Sequence, residues 1–494
     1  MIEIIRLHPA DNVAVAVSPL KKGHTVQEAG SSVTIQEDVE GGHKIALRPI
    51  RAGESVIKYG YEIGKAQRDI APGEWVHTHN IKTGLGETLH YEYHPKAVPL
   101  TPEEPKMFQG YRRKDGCAGI RNELWILPTV GCVNSVAKRL EQLAEPLAEG
   151  RFDGVHAFTH PFGCSQLGED HHNTQMALAG LCRHPNAGAV LVLGLGCENN
   201  NIPQFRQVLG ETDPHRVQFL NCQDEEDEIA AAMKLLHKLA DYAASFHRES
   251  IPASELVVGL KCGGSDGFSG ITANPCVGAF SDRLVAMGGT TILTEVPEMF
   301  GAETILMDRC QNREVFEKTV RLINDFKAYF TSNHQPIYEN PSPGNKKGGI
   351  STLEDKSLGC TQKSGDAPVM DVLTYGEKAV QKGLNLLNAP GNDLVASTAL
   401  AVSGAHLVLF TTGRGTPFGC PVPTVKISSN SPLAGRKQNW IDFDAGRILQ
   451  GVPIPQAAEE LLDYVLQVAS GERQTNNEAH NYREISIFKQ GVTL

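Results

Sequence analysis

Past residue 109 the sequence repeats one pattern: a short apolar run, a glycine-rich polar loop, a helical stretch and a second apolar run. Residues 154–160 lead into the loop 161–172 and a helix to about Arg183, and residues 187–194 lead into 195–201 and a helix opening near Pro203. The pattern returns at 255–261, with a loop to Pro275, a helix through Met287 and the run 290–295. It returns again at 383–387, with the loop 388–393, a helix to Ser403, the run 406–410 and the loop 412–419. Strands that alternate with helices at this spacing build parallel sheets with right-handed crossovers. The expected fold is therefore an α/β catalytic region of βαβ units. It divides into 109–248 and 254–494, set apart by the acidic, helical segment 224–249. Parallel sheets bind ligands outside the carboxyl ends of their strands. Those ends carry His160, Cys164, Cys197, Glu198, Asn199, Lys261, Asp266, Glu295, Asn392, Asp393 and Arg414, and one crevice is expected to collect them.

The loop within 259–275 is the densest in chemistry, holding Lys261, Cys262, Ser265, Asp266 and Ser269 among five glycines. Asn274 followed by Pro275 reads as an N-cap with proline at the first helical position. The loop thus ends where backbone N–H groups and the helix dipole favour an anion, a carboxylate or a phosphate. A surface crossover loop is the plainer alternative.

Residues 1–94 read differently. Alternating segments at 13–17, 33–36, 43–47, 55–59 and 74–79 are separated by Gly or Pro turns, which predicts a small all-β domain. His77 and His79 are two apart, so on a strand both imidazoles face one side, as a metal site needs. His43, Lys44 and Lys58 read as edge-strand charges. Four prolines among charged residues at 95–108 predict an extended, semi-rigid linker that leaves the β domain tethered.

Several function classes are excluded. Acidic side chains outnumber basic ones 57 to 46, for a net charge of -11, which argues against bulk attraction to nucleic acid or an anionic membrane. No apolar run is long enough to span a bilayer, the N-terminus lacks a signal-peptide pattern, and a cytoplasmic protein is expected. Gly194-Leu-Gly196 lacks the third glycine of a dinucleotide fingerprint, because Asn199 stands there. No Walker A pattern occurs. Eleven cysteines without a CxxC pair read as reduced thiols. Among them Cys132, Cys164, Cys197 and Cys360 follow glycine, an arrangement that suits either an iron–sulfur cluster or small buried side chains in tight turns. Residues 339–363, rich in Gly, Pro, Lys and amides, read as a long binding loop that includes Glu354, Asp355, Lys356 and Lys363. Glu295 and Glu298 flank a proline and read as paired carboxylates, for a cation or for acid–base work.

The stretches Gly73-Glu-Trp-Val-His-Thr-His-Asn80, Gly196-Cys-Glu-Asn199, Gly259-Leu-Lys-Cys-Gly-Gly-Ser-Asp-Gly267, Thr294-Glu-Val-Pro-Glu298, Leu353-Glu-Asp-Lys-Ser-Leu-Gly-Cys-Thr-Gln-Lys363 and Thr412-Gly-Arg-Gly-Thr-Pro417 resemble the altronate/galactarate dehydratase family. So does the run from Asn122 to Asn134, and so does the end Gly491-Val-Thr-Leu494, which resembles the altronate branch. The resemblance is collinear over nearly the whole chain. It implies an antifreeze-like, β-clip N-terminal domain and a hydro-lyase activated by Fe2+ or Mn2+. The implied reaction takes D-altronate to 2-dehydro-3-deoxy-D-gluconate and water in hexuronate catabolism, with galactarate as the sister substrate.

Such a reaction removes the C2 proton beside a carboxylate and expels the C3 hydroxyl. A divalent cation bridging the carboxylate and the C2 hydroxyl stabilises the charge as it develops. Under this resemblance His77 and His79 are the expected metal ligands and Lys261 the base or carboxylate clamp, since a buried lysine can titrate near neutrality. Lys363 and His160 compete for the acid role, and Glu295 is able to replace either. Ser265, Asp266, Asn392 and Arg414 are the expected substrate-binding residues. The partner is a small sugar acid and the assembly a homo-oligomer. Two further readings are an iron–sulfur hydratase using the glycine-flanked thiols and a non-catalytic sugar-acid sensor.

Overall fold

The computed structural model describes residues 2–28, 31–86 and 90–491, so the last three residues of the 491–494 match lie outside the described part. The N-terminal unit is antiparallel β. Strands β1 (Val13–Ala16), β2 (Lys44–Ala46), β3 (Ser55–Lys58), β4 (Tyr61–Ala66) and β5 (Trp75–Val76) are short, and β2 pairs with both β1 and β5.

The second unit is a four-stranded parallel sheet of β6 (Glu123–Pro128), β7 (Gly154–Ala157), β8 (Ala187–Gly194) and β9 (Val217–Asn221), in the order β7-β6-β8-β9. Helix α1 (Gly168–Arg183) joins β7 to β8, and α2 (Glu228–Ala243) follows β9. The acidic stretch expected to separate the α/β units is thus helix α2, and its Leu236, Leu239 and Ala240 pack into the core beneath β6 and β8. Its apolar face, not its charge, decides its place.

The C-terminal unit carries a seven-stranded parallel sheet. Its elements are β10 (Val257–Cys262), α3 (Ala273–Ala286), β11 (Thr290–Leu293), α4 (Leu353–Thr361), β12 (Val369–Leu373), β13 (Gly383–Leu387), α5 (Asp393–Val402), β14 (Leu407–Thr412), β15 (Thr424–Ser428) and β16 (Phe443–Asp444). The strand order is β12-β13-β11-β10-β14-β15-β16. Successive residues of β14 serve opposite faces: Leu407 and Leu409 pack with Phe280 and Leu284 of α3, while Val408 and Phe410 pack with Ala399 and Leu400 of α5. Burial on both faces explains the continuous apolar runs, each such side chain contributing roughly 1.5–3 kcal/mol.

The two α/β units share an interior, since Trp125, Leu127 and Leu178 lie in the same cluster as Val408 and Phe410. Helices α1 and α5 meet at Gly180, where a Cβ would lie 2.6 Å from Val402 Cγ1, so only glycine allows this approach. The segment expected as a free linker lies along the C-terminal unit. Lys96 N donates to Asp308 O at 2.7 Å and Glu103 N to Ala286 O at 2.9 Å. Its end is already a strand, Met107–Arg112, paired antiparallel with Arg248–Pro252. The N-terminal unit is docked too, with Val13, Val56 and Ile63 packing against Ala302 and Leu358.

Candidate active site

The docked face is built around Asp355. Thr352 caps α4 by accepting from Asp355 N, and its own hydroxyl donates to Ile63 O across the boundary. Asp355 then stands on the first turn, facing the β unit. Lys44 Nζ lies 2.8 Å from its Oδ2 and Lys58 Nζ 3.0 Å from its Oδ1. Burial alone would raise the Asp355 carboxyl, but the two ammonium groups hold it far below its ordinary value. Burial, aided by Lys58 and opposed by Asp355, lowers Lys44 to about 8. The edge-strand reading of Lys44 and Lys58 is therefore corrected: both are buried because a counter-charge waits on the neighbouring unit.

Deeper in, a second network starts at the end of β10. Lys261 Nζ lies 2.5 Å from Glu295 Oε1 and 2.9 Å from Asp393 Oδ1, and donates to Cys262 O at 2.7 Å. Lys363 Nζ reaches Glu295 Oε2 at 3.2 Å, and Cys262 N donates to the same oxygen at 3.0 Å. Glu298 Oε1 pairs with Lys356 at 2.8 Å, while its Oε2 accepts from the Cys262 and Cys360 thiols at 3.2 and 3.1 Å. Burial favours a neutral Lys261, but Glu295 and Asp393 outweigh it and hold the ammonium charged. Lys363 is raised in the same way by Cys262 and Glu295 against its burial. The expectation that burial brings Lys261 near neutrality is overturned, because two carboxylates accompany it. Glu295 itself sits at φ 71°, a left-handed conformation unusual for a side chain and typical of strained functional positions.

The remaining predicted residues divide. The Ser265 hydroxyl is buried without a hydrogen-bond partner and lines a closed cavity of about 10 Å³ together with Lys58, Asp355, Lys356 and Cys360. That volume holds about one water. Asp266 is occupied by its own loop: Oδ1 accepts from Phe268 N, Ser269 N and the Ser269 and Ser429 hydroxyls. The anion expected at the 259–275 loop is thus supplied by the chain itself. Helix α3 begins at Ala273 after Thr272, and Asn274, expected as its cap, instead ties β14 to α4 by accepting from the Thr411 hydroxyl and donating to Gly359 O. Asn392 caps α5 through Leu394 N and Val395 N, one residue from Asp393. Arg414 is exposed on the loop beyond β14 and makes no ion pair among the described residues. His160 joins a different group: its Nε2 lies 2.8 Å from Pro128 O at the end of β6, and burial lowers it to about 4.

His77 and His79 do not converge. The strand stops at Val76, and Asn80 Oδ1 accepts from His77 N to close a turn, so strand alternation does not apply. His77 Nδ1 faces Ser351 Oγ at 3.2 Å, whereas His79 lies on the surface beside Glu37 and Glu74. Buried donors suited to a metal occur elsewhere: Cys262, Glu298 and Cys360 offer ligand atoms within 4.8 Å of one another. Two thiols and a carboxylate fit Fe2+ better than the harder Mn2+. A cavity of about 550 Å³ at the amino ends of β6 and β7, beside Arg121, Glu478 and Arg483, lies apart from these groups, and its charges already pair with one another.

Comparison with known proteins places this geometry. Residues 2–84 match the altronate/galactarate dehydratase SAF domain, 110–244 the D-galactarate dehydratase/altronate hydrolase second domain, and 253–493 the D-galactarate/altronate dehydratase C-terminal domain. The chain is 55% identical to altronate dehydratase of Escherichia coli (strain K12), over 100% of both chains. It is 54% identical to altronate dehydratase of Bacillus subtilis (strain 168), again over 100% of both. The chain belongs to the altronate/galactarate dehydratase family. Galactarate dehydratase (L-threo-forming) of Escherichia coli is 34% identical over 98% of this chain and 96% of its own.

A dehydratase of this family handles a polyhydroxy acid, and the buried network suits one. Among the described residues Lys44, Lys58, Lys261, Lys356 and Lys363 pair with four carboxylates, Asp355, Glu295, Glu298 and Asp393, a net excess of one positive charge that suits an incoming anion. Sequence reasoning missed Lys44, Lys58 and Asp355 as a set. The signal was a lysine in the apolar alternation of each of two strands, facing an aspartate three residues after a cap threonine. It also took 339–363 for a loop, where Leu353–Thr361 is a buried helix.

Proposed function

We propose that the chain converts D-altronate to 2-dehydro-3-deoxy-D-gluconate and water, with galactarate as the alternative substrate. The observation that carries this reading is the buried lysine–carboxylate network at the carboxyl end of β10, in a chain that shares 54–55% identity with two altronate dehydratases. In this reading Lys261 and Arg414 hold the substrate carboxylate, and the unpartnered Ser265 hydroxyl takes a substrate hydroxyl. Glu295, caught between two lysines, removes the C2 proton. Lys363 protonates the C3 hydroxyl as the C3–O bond breaks, and the resulting enol becomes the ketone. Asp393 and Asn392 orient Lys261. His160 has no part in these steps, since its ring is held by Pro128 O at the end of β6 and by Phe162 N in its own loop.

A divalent ion, Fe2+ or Mn2+, held by Cys262, Glu298 and Cys360 would stabilise the charge that develops beside the carboxylate. His77 and His79 are left out of that shell by their geometry. The cavity beside Ser265 is too small for a six-carbon acid. The reading includes an antifreeze-like, β-clip character for that unit and a cytoplasmic homo-oligomer that needs neither nucleic acid nor membrane. The match of 2–84 to the SAF domain supports the first of these.

The test is anaerobic incubation with Fe2+ or Mn2+ and a panel of aldonates and aldarates, followed by an assay for 2-keto-3-deoxy products. Product from D-altronate and little from galactarate is expected. No product from any sugar acid would overturn the reading.

A further inference from the structure

The carboxyl end of the second unit's sheet presents three exposed thiols: Cys132 beyond β6, Cys164 beyond β7 and Cys197 beyond β8. These strands are neighbours in the order β7-β6-β8. Adjacent strands lie about 4.8 Å apart, so three successive strand ends fall within about 10 Å. The loops are tied together: Gly131 N donates to Phe162 O at 2.8 Å, Asn200 N to Gly163 O at 2.9 Å and Ser165 N to Asn199 Oδ1 at 2.8 Å. Gly163, at φ 100°, lies so close to the neighbouring loop that a Cβ would stand 2.0 Å from Thr129 O. Ser165, next to Cys164, holds φ 58° without being glycine. Free cysteine is among the most buried residue types, so three exposed thiols on braced loops at one sheet end need a chemical reason. A cavity of about 400 Å³, lined in part by His171, Cys197, Glu198 and Gln204, lies alongside.

The thiols are too far apart for a single ion, because among the described residues they form no group with ligand atoms within 4.8 Å. A cluster spans the wider gap. We propose that Cys132, Cys164 and Cys197 hold an iron–sulfur cluster through three thiolates, each thiol releasing its proton to solvent as its sulfur takes an iron, which leaves one iron of a four-iron cluster without a cysteine. Cys360, which also follows glycine, is not part of this site, since it is buried 3.4 Å from Cys262. Cys222 follows the fourth strand, but it is half-buried against the core and raised to about 11 by burial.

The site goes beyond the proposed reaction. Cluster content tests it, while product formation tests the reaction. The whole chain is purified and reconstituted without oxygen using ferric iron, sulfide and a dithiol, which is oxidised to its disulfide as it reduces two ferric ions per cluster, and then desalted. A brown protein is expected, in which iron matches acid-labile sulfide apart from one further iron at the Cys262, Glu298 and Cys360 group. Visible absorption should be lost in Cys132→Ser, Cys164→Ser and Cys197→Ser, and kept in Cys222→Ser and Cys360→Ser, with unchanged circular dichroism throughout. A colourless protein after reconstitution, metal bound without sulfide, or a cluster that survives the triple serine variant would each overturn the assignment.

Discussion

Lys44 on the N-terminal unit and Asp355 on the C-terminal unit meet at 2.8 Å with both side chains sealed from solvent, 0% and 1% exposed. Lys58 takes the second carboxylate oxygen, so one aspartate pairs with two lysines from a different unit.

Asp355→Asn leaves those two ammonium groups facing each other in a buried boundary. Breaking a buried ion pair from one side costs about 3–5 kcal/mol. The expected outcome is undocking of the N-terminal unit, read as faster proteolysis of the 90–106 segment, together with loss of turnover. Replacing Lys44 and Lys58 by Met and Asp355 by Leu removes all three charges and should restore protease resistance without restoring activity. An Asp355→Asn protein as resistant as the parent would show that the apolar contact of Val56 and Ile63 with Leu358 docks the unit unaided.

Lys261 offers a sharper test of the chemistry. Lys261→Met leaves Glu295 and Asp393 without their shared cation, so turnover should fall by about 10²–10³, the range for losing one electrostatic donor. Lys261→Arg keeps the charge but cannot place one compact ammonium against both carboxylates, and should recover folding more than rate. Equal activity of Lys261→Met and the parent would remove the lysine from the mechanism.

Glu295→Gln keeps the hydrogen bond from Cys262 N and the backbone at φ 71°, but removes both the proton acceptor and the charge paired with Lys261 and Lys363. General-base losses are typically about 10²–10⁴ in rate. We expect kcat to fall with little change in KM, and exchange of the C2 hydrogen with heavy water to stop. Continued exchange would move the base elsewhere.

Much of this arrangement was legible in the sequence because its signals are local. The apolar runs at 187–194 and 383–387 are strands with those same bounds, since a strand buried on both faces is apolar nearly throughout, with Asn385 the one polar side chain in these two. Lys261 and Glu295 could be placed at strand ends for the same reason, and their pairing follows from β10 and β11 being neighbours. What could not be read depends on contacts between distant segments. Lys44 resembles an edge charge until Asp355, 311 residues away, is set against it. Charge also misled at Asp355 and Lys356, whose polar neighbourhood suggested a loop, whereas ion pairing allows Leu353–Thr361 to be a buried helix. His77 and His79 failed on one turn: Asn80 closes it and ends the alternation that would have aligned them.

The boundary between the two α/β units should be sensitive to acid. His184 Nδ1 accepts from Asn186 N at 3.1 Å, so its Nε2–H donates to Ala405 O at 3.0 Å, and the ring has no site for a second proton. Burial, reinforced by the nearby His406, lowers His184 to about 3, and burial lowers His406 to about 4. Both values lie below the unfolded histidine value near 6.5. Between pH 6.5 and 4 the unfolded chain therefore binds protons that the folded chain refuses, so stability is full above about pH 6.5 and is lost as pH falls. Each pH unit in that window costs about 1.4 kcal/mol per histidine. His184→Gln keeps a donor for Ala405 O and an acceptor for Asn186 N, but does not titrate. The midpoint of urea unfolding, compared at pH 7.5 and pH 5.0, should fall less in His184→Gln than in the parent, by the equivalent of about 2 kcal/mol. Equal falls would mean that the seam does not open in the unfolding transition, and that the buried carboxylates set the acid limit instead.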